Sequence, residues 1–199
     1  MELILIRHGL PQLVENLDGS PADPPLSEIG LRQADLLAKW LLNTSIDYLY
    51  TSPMLRALQT AQPLEMLKDL QADQRDGVAE FDRTSNHYIP SEKLKEIDFE
   101  RWQRLMRGEV DVDFPEFCRG VVSTLTEISA THRGQTVAVA CHGGVINAWA
   151  CHVLKMEPRM FFNPEYTSIN RFMVARSGER SIKTLNEHSH LNGFVNQSS

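Results

Sequence analysis

Cysteine is scarce in this chain. Cys118, Cys141 and Cys151 are an odd number without metal-ligand spacing, which argues against a disulfide framework and for reduced, buried thiols in a cytoplasmic protein. Long hydrophobic runs are missing too: stretches such as Leu3-Ile4-Leu5-Ile6 fall far short of the roughly 20 residues that a membrane helix needs. The N-terminus carries Glu2 and then Arg7, without the basic start and long apolar core of a secretory signal. Basic charge is in deficit, with 20 Lys and Arg against 26 Asp and Glu and a net charge of −6, so neither nucleic acid nor a membrane is an expected partner. Repeats and low-complexity segments are absent as well. What remains is a globular composition, 42% apolar and 23% charged, over 199 residues. A chain of this length buries about 70% of its unfolded surface, enough for a core, and is expected to form one domain over residues 1–199.

The run Leu3-Ile4-Leu5-Ile6, ended by Arg7-His8-Gly9, reads as a strand covered on both faces, as in a parallel sheet. Ser27 reads as the N-cap of a helix whose buried stripe is Ile29, Ala34, Leu36, Leu37, Trp40 and Leu41. Residues 46–50 follow as a second strand, then Ser52-Pro53 as N-cap and first position of a helix from Met54, which Pro63 ends or kinks. Residues 69–113 lose this regularity and read as an insertion over the sheet, with a short run Gly77-Val78-Ala79-Glu80 and a helix over 91–106. Asp113 and Glu116 have capping-box spacing before a helix marked by Phe114, Phe117, Val121, Leu125 and Ile128. A strand at 136–141, a helix at 145–154 and a closing hairpin of 169–175 with 181–185 complete the pattern, and the tail after His188 reads as loose. Strands alternating with amphipathic helices specify an α/β fold: three layers, a mostly parallel central sheet flanked by helices.

In such sheets ligands bind beyond the carboxyl ends of the strands. Reactive side chains stand just past four apolar runs: Arg7 and His8, Arg56, Glu80, and His142. If those runs are neighbouring parallel strands, the groups share one rim. Two arginines, two histidines and a carboxylate suit a phosphate monoester, because guanidinium forks match phosphate oxygens and a neutral imidazole is a nucleophile toward phosphorus. Gly143 and Gly144 at a helix start add backbone N–H donors.

Arg7-His8-Gly9, the segment from Leu26 through Ser27-Glu28-Ile29-Gly30 to Ala34, Ser52-Pro53-Met54-Leu55-Arg56-Ala57 and His142-Gly143-Gly144 together resemble the histidine phosphatase superfamily, the phosphoglycerate mutase-like fold. The resemblance implies that His8 attacks phosphorus and becomes a phosphohistidine. It implies that Arg7, Arg56, His142 and Gly143 hold the phosphoryl group, and that a carboxylic acid, Glu80 or else Asp82, protonates the leaving oxygen. No metal or organic cofactor is implied. Leu10-Pro11 replaces the polar pair usual after the triplet, and Asn16 takes the place of the phosphate-binding asparagine at a longer spacing from His8. Tyr88, Phe99 and Trp102 read as packing of the insertion, Arg83 and His87 as solvated loop residues, and His188 and His190 as tail side chains without a metal.

The expected function is a cofactor-independent phosphatase acting on a small phosphomonoester, with a phosphoprotein as the other substrate class. Phosphoglycerate mutase-type transfer is the first alternative, disfavoured because residues 69–113 carry no excess of basic side chains. A phospho-ligand binding module with little turnover is the second, disfavoured because binding alone requires no nucleophile. The oligomeric state is left open by the sequence.

Overall fold

The computed structural model describes residues 1–107, 109 and 112–194, with nothing stated of the side chains at 91 and 92. Residues 108, 110 and 111 of the expected insertion and 195–199 of the expected domain lie outside the described residues.

Five of the six strands of the central sheet run the same way. Its order is β4 (Ala72–Gln74), β3 (Tyr48–Thr51), β6 (Thr136–Cys141), β1 (Glu2–Arg7), β7 (Ile169–Val174) and β8 (Arg180–Glu187), and β7 runs against the other five. Side chains of a strand alternate between faces, so each central strand feeds two cores. Leu3 and Leu5 of β1 and Val137 and Val139 of β6 pack with α5 (Phe114–Thr131) and α6 (Gly143–Leu154). Ile4, Ile6, Ala138 and Ala140 face the other way, onto α1 (Glu28–Trp40) and α2 (Leu55–Lys68). The three-layer α/β architecture expected from the sequence is thus observed, with a mixed, mostly parallel sheet.

The expected caps of α1 and α5 form. Ser27 Oγ accepts from Gly30 N at 3.1 Å, and Asp113 accepts from Glu116 N at 2.8 Å. Elsewhere tertiary contacts displace local signals. Ser52 does not cap α2, which begins at Leu55; the Leu55 N–H is taken at 3.0 Å by the carboxylate of Asp23, far away in sequence. Pro63 does not end α2, because Ala57, Thr60, Ala61 and Leu64 keep one buried face across it and offset the hydrogen bond it removes. Trp40 is 52% exposed; α1 buries Gly30, Gln33, Ala34, Leu37 and Ala38, a stripe shifted from the expected one because α1 packs its small residues closely on the chain after β1.

The region 69–113 is not wholly an insertion. Ala72–Gln74 pairs in parallel with β3 as the sheet's edge strand, and Asp76–Val78 is a turn of 3₁₀ helix rather than a strand. The expected helix over 91–106 divides into α3 (Ser91–Ile97) and α4 (Phe99–Met106), because Asp98 leaves helical conformation and caps α4 through Arg101 N at 2.9 Å. A two-stranded sheet unseen in the sequence pairs β2 (Val14–Glu15) with β5 (His87–Tyr88) and ties this region to the loop after β1. The tail is anchored where the sequence suggested looseness: His190 is buried and meets Thr167 Oγ1 at 2.9 Å.

Gly30 fixes α1 against the turn that carries His8. A Cβ there would drive into the Leu10 carbonyl oxygen, while Leu10 O also accepts from Ser27 N at 2.9 Å. Gly30→Ala is therefore expected to cost about 1–3 kcal/mol through overpacking. Denaturant unfolding checks this, and a wild-type midpoint would refute the close approach.

Candidate active site

Register puts the two histidines side by side. Arg7 pairs with Cys141 across β1 and β6, so His8 and His142 leave adjacent parallel strands at the same level. Their rings lie 5.2 Å apart between centroids, tilted by 56°. β3, on the other side of β6, ends at Thr51, and Ser52 N bonds to Ala140 O at 2.9 Å, so α2 starts at the same rim. Arg56, in its first turn, is fully buried. Glu80 reaches the site from the loop after the 3₁₀ turn rather than from a strand end.

Each group has a defined state. His8 Nδ1 stands 2.8 Å from Gly9 O; a carbonyl only accepts, so Nδ1 carries the proton and Nε2 keeps its lone pair. Burial, then the Arg56 and Arg7 charges, hold its pKa well below the ordinary histidine value, against a smaller opposite effect of the Gly9 bond. The ring is neutral at pH 7. His142 is held down likewise, by burial first and then by Arg56, His8 and Arg7. Its Nε2 lies 2.8 Å from Ser52 Oγ, which also accepts from Met54 N at 3.2 Å and so has its hydroxyl proton to give to Nε2. In that arrangement His142 carries its own proton on Nδ1, a buried atom without a hydrogen-bond partner among the described residues.

Arg7 donates to Pro164 O and to Asn163 Oδ1, the latter at 3.3 Å, and its guanidinium lies 4.1 Å from the Tyr166 ring centre. Arg56 pairs with Asp82 at 2.8 Å and lies 4.7 Å from the Tyr88 ring centre. Its Nε and Nη1 are buried without a hydrogen-bond partner among the described residues.

Asp82, committed to that ion pair, is poorly placed to give a proton. Glu80 differs: burial first, and then the Asp82 charge, raise its pKa to about 7, although the Gly144 and Phe81 N–H groups and Arg56 pull the other way. Gly144 N donates to Glu80 Oε2 at 2.8 Å and Phe81 N to Oε1 at 3.1 Å. A Cβ at Gly144 would collide with Oε1 and approach the Phe81 ring to 2.9 Å. Gly144 thus serves Glu80 and not a phosphate. Arg7, His8, Arg56, Glu80, Tyr88 and Gly143 line one cavity of about 80 Å³. Asn16 is not there; its Nδ2 donates to Ser20 O and Pro21 O at 3.2 and 2.9 Å and closes its own loop.

The sequence pattern of the histidine phosphatase superfamily, branch 1, matches residues 3–188. The chain belongs to the histidine phosphatase superfamily. Phosphoserine phosphatase 1 of Hydrogenobacter thermophilus is 29% identical over 98% of this chain and 96% of its own length. A probable phosphatase of Schizosaccharomyces pombe is 30% identical over 96% and 95%. Among solved structures, the phosphoserine phosphatase of Entamoeba histolytica in complex with 3-phosphoglyceric acid superposes with a TM-score of 0.74 at 24% identity, covering 96% of this chain and 98% of that one, a likeness of fold. The superfamily's activity, phosphoric monoester hydrolysis, is the one expected from the sequence.

Two parts of this phosphatase site escaped the sequence reading. Tyr88, read as packing, covers Arg56 and stands 6.4 Å from the His8 ring. Asn163, Pro164 and Tyr166, in the loop between α6 and β7, had no assignment; the Asn163-Pro164 turn signal was their only mark.

Because Glu80 holds its proton more tightly folded than unfolded, the folded phosphatase binds the extra proton between pH about 4.5 and about 7, and stability falls as pH rises through that window. Glu80→Gln removes this slope. The variant's stability relative to wild type is expected to improve from pH 5 to pH 8 by on the order of 2 kcal/mol. The histidines, which act in the opposite direction, are common to both proteins. A difference independent of pH, by urea unfolding, would place Glu80 in an ordinary environment.

Proposed function

We propose that this phosphatase works through a phosphohistidine on His8, with Glu80 as proton donor and then base, and with Arg7, Arg56 and His142 holding the phosphoryl group. The observation that carries this reading is the set of buried donors left over at Arg56 Nε and Nη1 and at His142 Nδ1. Leaving such groups unpaired costs roughly 1–3 kcal/mol each, more for a charge, and a phosphoryl dianion satisfies them together.

His8 Nε2 attacks phosphorus, the N–P bond forms and the ester P–O bond breaks. The leaving alkoxide takes the Glu80 proton. Positive charge on the phosphorylated ring is supported by its Nδ1–H bond to Gly9 O. Glu80, now a carboxylate, takes a proton from water as that water attacks phosphorus; the N–P bond breaks, and phosphate leaves with both residues restored. A donor near pH 7 suits both halves of the cycle. The two guanidinium groups supply the charge stabilisation, worth about 4 kcal/mol for a pair 4 Å apart at an effective dielectric near 20. The substrate is a small phosphorylated molecule, as the names of the relatives also suggest, with a phosphoprotein as the alternative. Three free, buried cysteines favour a cytoplasmic setting. Among the described residues no helix is long and apolar enough to cross a membrane.

Rapid quench with labelled substrate is expected to trap an acid-labile, base-stable label on His8, and an active enzyme without labelled histidine would refute the covalent route. The proton donor is tested separately. Glu80→Gln is expected to slow alkyl phosphates by about 10²- to 10⁴-fold and nitrophenyl phosphate far less, because nitrophenolate leaves without a proton. Equal losses on both esters would move the role to another group.

A further inference from the structure

The cavity that holds the reacting groups shares a wall with a larger cleft. A cleft of about 430 Å³ lies between the segment after Glu80 and the pair α3 and α4, against about 80 Å³ at His8, and Phe81, Asp82, Ile89 and Leu105 line both. The alcohol of any phosphoryl group seated on His8 has this cleft beside it. Ligand-binding clefts run from roughly 300 to 1,000 Å³, and the few atoms of a serine would leave most of this one empty.

Its lining is amphipathic in a particular way. Phe81, Ile89, Leu94 and Leu105 make an apolar wall. All but one of the charged side chains that line it meet an opposite charge. Asp82 is taken by Arg56 at 2.8 Å, and Glu109 by Arg107 at 2.7 Å and Arg104 at 3.8 Å. Arg101 has no carboxylate partner among the described residues. Its Nη2 instead donates to His87 Nε2 at 3.1 Å, and His87 Nδ1 faces Asn86 Oδ1 at 3.0 Å, an oxygen that only accepts. His87 is therefore the neutral tautomer that presents a lone pair to Arg101, and the guanidinium is steered without being neutralised.

Resting on the phosphatase reading above, we infer that this cleft is the subsite for the substrate's alcohol, and that the preferred substrate is a phosphomonoester with an extended, largely apolar body ending in an anionic group held by Arg101. A guanidinium fork suits a carboxylate or a second phosphate equally, and the shared chemistry is the terminal anion. The body gains from leaving water and the far end from a charge-assisted bond.

The test compares kcat/KM across ω-carboxyalkyl phosphates of increasing chain length, the matching alkyl phosphates, phosphoserine and nitrophenyl phosphate. In the wild-type enzyme kcat/KM is expected to climb about threefold per added methylene over several methylenes. The acid-tailed ester of optimal length is expected to exceed its alkyl counterpart at least tenfold, and phosphoserine by more. A parallel series ending in a second phosphate tells which terminal anion is preferred; either preference supports the subsite. Arg101 is exposed, so Arg101→Ala is expected to fold normally and to bring the acid-tail to alkyl ratio close to one, with Arg101→Lys between. A flat length series, a wild-type ratio near one, or a ratio unchanged in Arg101→Ala overturns the inference. Nitrophenyl phosphate separates the two levels: turnover with a flat series sinks the subsite alone, and no turnover sinks the phosphatase reading with it.

Discussion

Two guanidinium groups buried beside two imidazoles set the terms for the rest of the molecule. Desolvating charges of one sign is expensive, and Asp82 offers Arg56 a full opposite charge. The fold meets part of the remainder with weaker partners, carbonyl oxygens of the loop before β7 for Arg7 and an aromatic face over each guanidinium. It meets another part by keeping both imidazoles unprotonated and Glu80 at the edge of ionisation. Arg56 Nε and Nη1 and His142 Nδ1 stay buried without a hydrogen-bond partner among the described residues. The neutrality of both imidazoles and the proton held by Glu80 then share one leading cause, the exclusion of water, with positive charge adding to it at the histidines and the Asp82 charge at Glu80.

Holding such a cluster requires a frame that cannot relax, and the sheet supplies it. His8 and His142 follow adjacent strands in register, with Ser52 one strand further on, so three site positions are set by backbone hydrogen bonds of the central parallel strands. Close approaches lock the others. Gly30 lets α1 touch the turn after His8, and Gly144 lets the start of α6 receive the Glu80 carboxylate. Thr167, a β-branched residue with φ of 57°, spends strain to place its N–H on the His8 carbonyl at 3.3 Å, while the anchored tail holds its hydroxyl through His190.

This division explains what could be read in the sequence. His8, Arg7 and His142 were legible because continuous apolar runs end at them, and Arg56 because a turn signal precedes it at fixed spacing. Glu80 was legible as a residue but not by the route expected: Val78 and Ala79 resemble a strand by composition, and a 3₁₀ turn forms because Val78 and α5 pack together. The place of Tyr88 over Arg56 left no mark in the sequence, since the strands that hold it have two residues each, too short to leave a period. The loop before β7 meets Arg7 through the Pro164 carbonyl, the Asn163 amide oxygen and the Tyr166 ring, on irregular backbone that leaves no period to read. The edge strand β4 was hidden by its polar sequence, Ala72-Asp73-Gln74, acceptable at a sheet edge and unrecognisable as a strand from alternation.

The cap over the site obeys a looser rule than the sheet. No residue of α4 is buried, and the contacts of α3 and α4 are chiefly with each other, so they contribute little to either core. A charged cavity of about 80 Å³ recognises a phosphoryl group without distinguishing the alcohol behind it, because every phosphomonoester presents it with the same oxygens. Under the subsite inferred above, discrimination comes from surfaces that touch the alcohol, and the cap carries them. Substitutions there cost little folding energy and leave the buried charges undisturbed, whereas a change near His8 or Glu80 disturbs the electrostatic balance of the whole site. Chemistry and selectivity are thus carried by parts of the chain under different physical constraints, the one held by burial and the other by shape.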